Sequence, residues 1–358
     1  MRYTLPTAYC LLTLLFSACT PSSSATSSPP PLSPVLYVFR LDPPALVELT
    51  ADYQPVRDIP FSIPAGCQLD NIYPSPRGAY LAVELDCAFG QTVVWVNTDT
   101  GEVRQAYTES DSHFLAWVSD GQAIYLKVDS TGNPHIARID TEGEQNLIPI
   151  TEPTYDLSPR PNSDDFTFTF SRGMGLGSET WLAQQNGNVV QQIAADKNNY
   201  LSFARWSPDG SQIAFIKIPD SPTPFTVGEL WVMNADGSSA RKLADADAGH
   251  GYAASWSADG RKIAFVVREN PEDADADQNA SALVSNIYIF DVENSKLSQL
   301  THFQNARVEA PAWSPDGNTI AFTVVLDDKI NVYRADVLSG ETKLILMESA
   351  CCPAWMRK

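Results

Sequence analysis

Arg205-Trp206-Ser207-Pro208-Asp209-Gly210-Ser211-Gln212-Ile213-Ala214-Phe215 occurs three times in this chain with nearly the same letters. It returns as Ser255-Trp256-Ser257-Ala258-Asp259-Gly260-Arg261-Lys262-Ile263-Ala264-Phe265 and as Ala312-Trp313-Ser314-Pro315-Asp316-Gly317-Asn318-Thr319-Ile320-Ala321-Phe322. Ala116-Trp117-Val118-Ser119-Asp120-Gly121 is a fourth copy, and Pro74-Ser75-Pro76-Arg77-Gly78 keeps the turn without the Trp. Leu157-Ser158-Pro159 is a worn copy, and Pro353-Ala354-Trp355 stands at the C-terminus. With Trp-equivalent positions at 74, 117, 157, 206, 256, 313 and 355, the spacings are 43, 40, 49, 50, 57 and 42 residues. That period belongs to four-stranded propeller blades.

The motif's chemistry explains the period. Pro presets φ for a tight turn, Asp bonds its own backbone, and Gly takes the position with φ > 0. Ser-Pro-Asp-Gly is therefore a hairpin connector between a strand A ending at the Trp and an apolar strand B. A third strand follows, as in 229–237 or 286–291, and a short fourth one, as in 240–243 or 297–301. One such unit has two apolar faces and buries them only by stacking against neighbours in a ring. The repeats resemble the TolB-type β-propeller family over nearly all of residues 35–358. The resemblance implies an all-β propeller fold and leaves activity open, because propellers host many unrelated functions.

The two ends set the blade count. Residues 35–41 read as a strand B and residues 45–60 as strands C and D, with no strand A before them. Residues 350–356 supply a strand A with no B after it. Joined, they make one blade, giving a seven-bladed β-propeller of four-stranded antiparallel blades. The alternative is the six-bladed ring that TolB itself implies.

Residues 1–18 combine Arg2 with an apolar run from Leu5 to Ala18, too short for a permanent membrane span, and read as an export signal. Phe16-Ser17-Ala18-Cys19 resembles a bacterial lipobox, which implies that Cys19 becomes the lipidated N-terminus. Residues 19–34 continue as an uncharged Ser/Pro tether that cannot build a core, and the propeller fills 35–358. The expected location is extracytoplasmic, anchored by lipid to a bacterial membrane.

Lys and Arg number 24 against 43 Asp and Glu, a net charge of −19. Such a body repels phosphate backbones and anionic headgroups, so nucleic acid is excluded as a partner and the membrane is reached through the lipid anchor only. No Gly-x-Ser-x-Gly elbow, P-loop or His-Glu-x-x-His helix occurs. Some TolB-like propellers are pectate-degrading lyases that hold a metal with several His. Here His113, His250 and His302 fall on connections between strands D and A and share no ligand spacing. No catalytic residue is assigned and no cofactor is expected. The one weak metal candidate is calcium at Asp273, Asp275 and Asp277 in the insertion 268–280, where Gln278 and Val284 replace the Gly and Glu of a calcium loop. Trp95, Trp181 and Trp231 read as blade packing.

After Cys10 and Cys19, four cysteines remain for disulfides: Cys67, Cys87, Cys351 and Cys352. Cys67 and Cys87 flank the Ser75–Gly78 turn symmetrically, which predicts a cross-strand bridge. Cys351-Cys352 is then a vicinal pair, bonded to itself or free; the rival pairing joins Cys67 to one of them. The function read from all this is a non-enzymatic, monomeric propeller that binds a protein or glycan of the cell envelope, in an assembly or transport role like that of the Tol system. The alternative is a polysaccharide lyase or hydrolase acting at the propeller channel.

Overall fold

The computed structural model describes residues 34–357 except 51, 61–62, 77, 89, 107–111, 120, 129–133, 141–143, 150–153, 172–176, 248–252 and 347–348. The leader, Cys19 and the tether to residue 33 lie outside the described residues. Seven four-stranded antiparallel sheets are present. Six run in chain order: blade 1 (67–106), blade 2 (112–149), blade 3 (154–196), blade 4 (199–247), blade 5 (255–299) and blade 6 (307–346). The seventh takes strand A from Ala350–Arg357 and strands B, C and D from Pro34–Leu41, Pro44–Leu49 and Pro55–Pro60. The ring is seven-bladed and the two chain ends close it, as the sequence predicts. Among the described residues no helix is long and apolar enough to cross a membrane.

The core is divided among the seams. Seven apolar clusters each join two successive blades, for example Ala214, Ile216 and Leu230 of blade 4 with Ile263 and Phe265 of blade 5. Strand B carries much of this load because it is buried on both faces, as in Ile213–Ile216.

Ser and Asp of the repeat build one hairpin box three times. Ser207 Oγ donates to Asp209 Oδ1 at 2.5 Å, the Ser211 amide donates to the same oxygen at 3.0 Å, and the Gln212 amide donates back to Ser207 Oγ at 3.0 Å. Ser257 with Asp259, and Ser314 with Asp316, repeat the pattern. Gly210 closes the turn at φ +69°, where a Cβ is strained.

The Trp of each strong repeat ties its blade to the one before. Trp117 Nε1 donates to the Tyr73 carbonyl at 2.8 Å, Trp206 to Ser158 at 3.0 Å, Trp256 to Arg205 at 3.0 Å and Trp313 to Ser255 at 2.9 Å. In the first, third and fourth cases the acceptor directly precedes the Trp-equivalent residue of the earlier blade. The same rule, applied to Ser158, corrects the sequence alignment of blade 3: its Trp-equivalent is Pro159, not Leu157. The Arg160 amide bonds the Asp165 carbonyl just as the Ser207 amide bonds Gln212. The misreading came from matching Ser158-Pro159 to Ser207-Pro208, whereas Arg160-Pro161 holds those places.

Trp355 is a second departure. It faces Leu36 as Trp313 faces Ile320, and it packs on the blade 6–blade 7 cluster that holds Ala321 and Val332. Its indole N–H has no hydrogen-bond partner among the described residues, so packing is shared with the other repeats and the tie is not.

Strand A also carries a repeated bulge. Phe203, Ala310 and Cys352 stand at φ 60°, 50° and 59°, each three residues before its Trp, and the pairing to strand B or its equivalent shifts there. The bulge turns an amide toward the previous blade. Ala204 donates to Asp156 Oδ2 at 2.5 Å and Cys352 to Thr323 Oγ1 at 3.1 Å.

Candidate functional site

Two features of the propeller carry polar chemistry. The first is a cleft of about 850 Å³ across the A–B turns of blades 1 to 3, lined among others by Pro76, Trp117, Gln122, Arg160, Asn162 and Gln185. Its walls are hairpins. Arg160 is fixed by its Nε bond to the Gly210 carbonyl at 3.0 Å, by Asp165 at 3.4 Å and by the Trp206 ring 5.1 Å below its guanidinium. Amide and hydroxyl groups of Gln122, Asn162, Ser163 and Gln185 border the space, beside the apolar rings of Pro76, Pro159 and Pro161. Such a surface suits a ligand with many hydrogen-bonding groups and flat apolar faces.

A smaller depression of about 320 Å³ lies on the same kind of turn between blades 4 and 5, lined by Ser207, Asp209, Asp259 and Gly260. Hydrogen bonds, first from Ser207 and Ser257 respectively, lower the Asp209 and Asp259 carboxyls. At Asp316 burial works against ionisation, and the bonds from Ser314 and Asn318 outweigh it. These repeat-turn residues are hairpin builders.

The second feature is a buried carboxyl at the seam of blades 1 and 2. Glu84, in strand B of blade 1 (Tyr80–Cys87), accepts the Phe114 amide at 3.0 Å and the Tyr73 hydroxyl at 3.1 Å. His113 Nδ1 stands 3.9 Å from it. Burial pushes the Glu84 carboxyl up to about 7, although the Phe114 amide and Tyr73 favour the charged form. Asp70 is raised as well, by desolvation first and then by Asp86. Burial raises Tyr73, and Glu84 adds to the rise. A carboxyl poised near neutrality beside a hydroxyl and an imidazole can move a proton. The sequence held a signal for it: six residues after the turn Gly, blades 4, 5 and 6 carry Ile216, Val266 and Thr323, and blade 1 carries Glu84.

The other sequence-derived residues separate. His113 lies inside strand A of blade 2 (Ser112–Ser119), not on a connection, because the strand starts earlier than its apolar pattern. His302 is exposed on the connection after blade 5, and His250 lies outside the described residues. Among the described residues no group of three or more His, Cys, Asp or Glu is arranged to hold a metal ion. In the acidic insertion the cation is protein: Arg268, its side chain fully buried, donates to the carbonyls of Asn270, Phe225 and Asp273 and pairs with Asp277 Oδ1 at 2.7 Å. Asp273 Oδ1 accepts the Asp275 amide. The three carboxylates do not converge on one point: Asp277 pairs with the guanidinium, Asp273 meets it only through its carbonyl, and the Asp273 carboxylate is taken by the Asp275 amide and Asn270 Nδ2. Cys67 faces Cys87 and is bonded to it, and Cys351 is bonded to Cys352. Trp95, buried, packs against Trp117 at the blade 1–blade 2 seam.

Seven four-stranded sheets joined in a ring by seam clusters, four of the seams also tied by a Trp, define a β-propeller repeat protein. Residues 179–356 match the family described as TolB beta propeller domain, and the chain is a TolB-type propeller. Among solved structures it is similar to an oligogalacturonate lyase in complex with manganese, at 16% identity and TM-score 0.62, over 86% of each chain. TolB from Acinetobacter baumannii matches at 14% identity and TM-score 0.51, over 91% of this chain and 67% of that one. A puromycin-hydrolyzing peptidase of Mycobacterium tuberculosis matches at 13% and 0.59, and this chain covers 50% of its length. At these identities the likeness is one of fold. No curated protein matches.

Proposed function

We propose that the chain is an extracytoplasmic binding platform of the bacterial cell envelope, without chemistry of its own, tethered through a lipid on Cys19. The partner is an envelope protein or glycan held on the A–B turn face, in a TolB-like assembly or transport role. The observation that supports this best is the cleft over blades 1 to 3: it is wide, open, bordered by amides and hydroxyls, and built from fixed hairpins. The test is a pull-down from solubilised envelope with the intact lipoprotein, beside one carrying Gln185→Arg and Asn162→Arg. A partner retained by the native chain and lost by the variant supports the reading; equal recovery on both removes the cleft from it. Cys19→Ser should release the chain from membranes or leave it unprocessed, and mass spectrometry of the mature N-terminus checks this.

The Glu84 group favours a second reading, a polysaccharide lyase or hydrolase with a carboxyl ready to take or give a proton. Turnover of an acidic oligosaccharide that falls at least 100-fold in Glu84→Gln would establish it over the first.

A further inference from the structure

We infer that Cys351–Cys352 is a redox-active disulfide, a site that takes two electrons from a dithiol and thereby becomes a vicinal dithiol on the innermost strand of the closing blade. Two observations show that this bond is not there to hold the fold. The first is its place in the chain. A bridge between neighbours in sequence closes no loop and so removes almost no freedom from the unfolded chain, whereas Cys67–Cys87 spans a separation of 20. The second is the repeat itself. Cys352 occupies a bulge at φ 59°, and strand A of blades 4 and 6 makes the same bulge with Phe203 at φ 60° and Ala310 at φ 50°, with no covalent aid. The backbone geometry therefore does not need the sulfur bond. The Cys352 amide is held independently by Thr323 Oγ1 of blade 6, at 3.1 Å.

What remains is the chemistry of two sulfurs at a reachable place. Cys351 and Cys352 are both half-buried at the edge of the blade 7–blade 1 cluster; of the other bridge Cys67 is half-buried there too and Cys87 is buried within it, so the placement in the chain, not burial alone, sets the two bridges apart. A partly accessible disulfide that bears no structural load is open to exchange. In the step, a thiolate of the dithiol attacks the sulfur of Cys351 or Cys352, and the S–S bond breaks with its electron pair leaving on the other cysteine, which takes a proton. The second thiol of the reductant then displaces the mixed disulfide. The reductant leaves as a disulfide and the chain holds two thiols.

The experiment is graded reduction of the folded protein with dithiothreitol, followed by alkylation and peptide mapping, with circular dichroism recorded on the same samples. Cys351 and Cys352 should label fully at reductant levels at least tenfold below those that label Cys67 and Cys87, with the β-sheet signal unchanged. The reduced protein should bind one phenylarsine oxide, a probe that bridges two adjacent thiols, and Cys352→Ser should bind none. Simultaneous labelling of all four cysteines, labelling only as the sheet signal is lost, or no arsenical binding after reduction would each overturn the assignment. Cys351→Ser/Cys352→Ser should melt like the native chain; a large loss of stability would show that the bond is structural after all.

Discussion

The indole Nε1 of Trp313 donates to the carbonyl oxygen of Ser255 in the preceding blade, 2.9 Å away, and the residue after Ser255 is Trp256, which does the same to Arg205. Each strong repeat thus hands its backbone to the next. Trp313→Phe keeps most of the packing and removes that bond, at a cost of about 0.5–1.5 kcal/mol. Trp355→Phe removes an N–H that has no partner among the described residues, and should cost clearly less. Urea unfolding of the two variants checks the difference; equal losses would refute the role given to the indole bond.

Deleting residues 350–358 removes strand A of the closing blade. Leu36, Val38, Ala321 and Val332, now fully or almost fully buried, would lose their cover, and strand B of that blade its partner. Exposed apolar faces and unpaired strand edges lead to aggregation. The truncated chain is expected to aggregate or to melt many degrees lower in differential scanning calorimetry.

Glu84 makes stability depend on pH. Its folded pKa, about 7, is above the ordinary 4.5, so the folded state holds the proton more tightly than the unfolded chain does. Stability is therefore greatest below about 4.5 as far as this group is concerned, and it falls as pH rises through 7, by about 3 kcal/mol in all. The melting temperature of the native chain should drop between pH 5 and pH 8, and Glu84→Gln should flatten that slope. Parallel profiles for the two proteins would refute the claim.

Arg268 is the organiser of the acidic insertion. Arg268→Ala removes the donor shared by Asp277 and the carbonyls of Phe225 and Asp273, a loss of about 1–3 kcal/mol, since the Asp277 carboxylate left behind is partly exposed. Limited proteolysis should then cut within 269–284 much faster. Millimolar calcium should not slow that cut in the native chain; protection by calcium would restore the carboxylates as ligands.

Cys67→Ser/Cys87→Ser should cost about 3 kcal/mol, the value for releasing a loop of this size. Chemical unfolding measures it, and non-reducing peptide mapping should recover the Cys67–Cys87 peptide pair from the native chain.

Much of this architecture was legible from one period and one turn. The Trp-x-x-Asp-Gly spacing gave blade size, the unmatched strands at the two ends gave the closing blade, and the symmetric flanks of the Ser75–Gly78 hairpin gave the disulfide. These properties are local: they depend on which residue bends the backbone and how far apart the bends are. Blade 3 shows where that stops, since Ser158-Pro159 carries the letters of the turn and Arg160-Pro161 carries its geometry. The raised carboxyl of Glu84, the Trp355 indole N–H without a partner among the described residues, and the guanidinium of Arg268 held by Asp277 and the Asp273 carbonyl were decided only by the tertiary structure. Each depends on what a neighbouring blade or a distant loop brings within hydrogen-bond distance, and burial and electrostatics act across space, not along the chain.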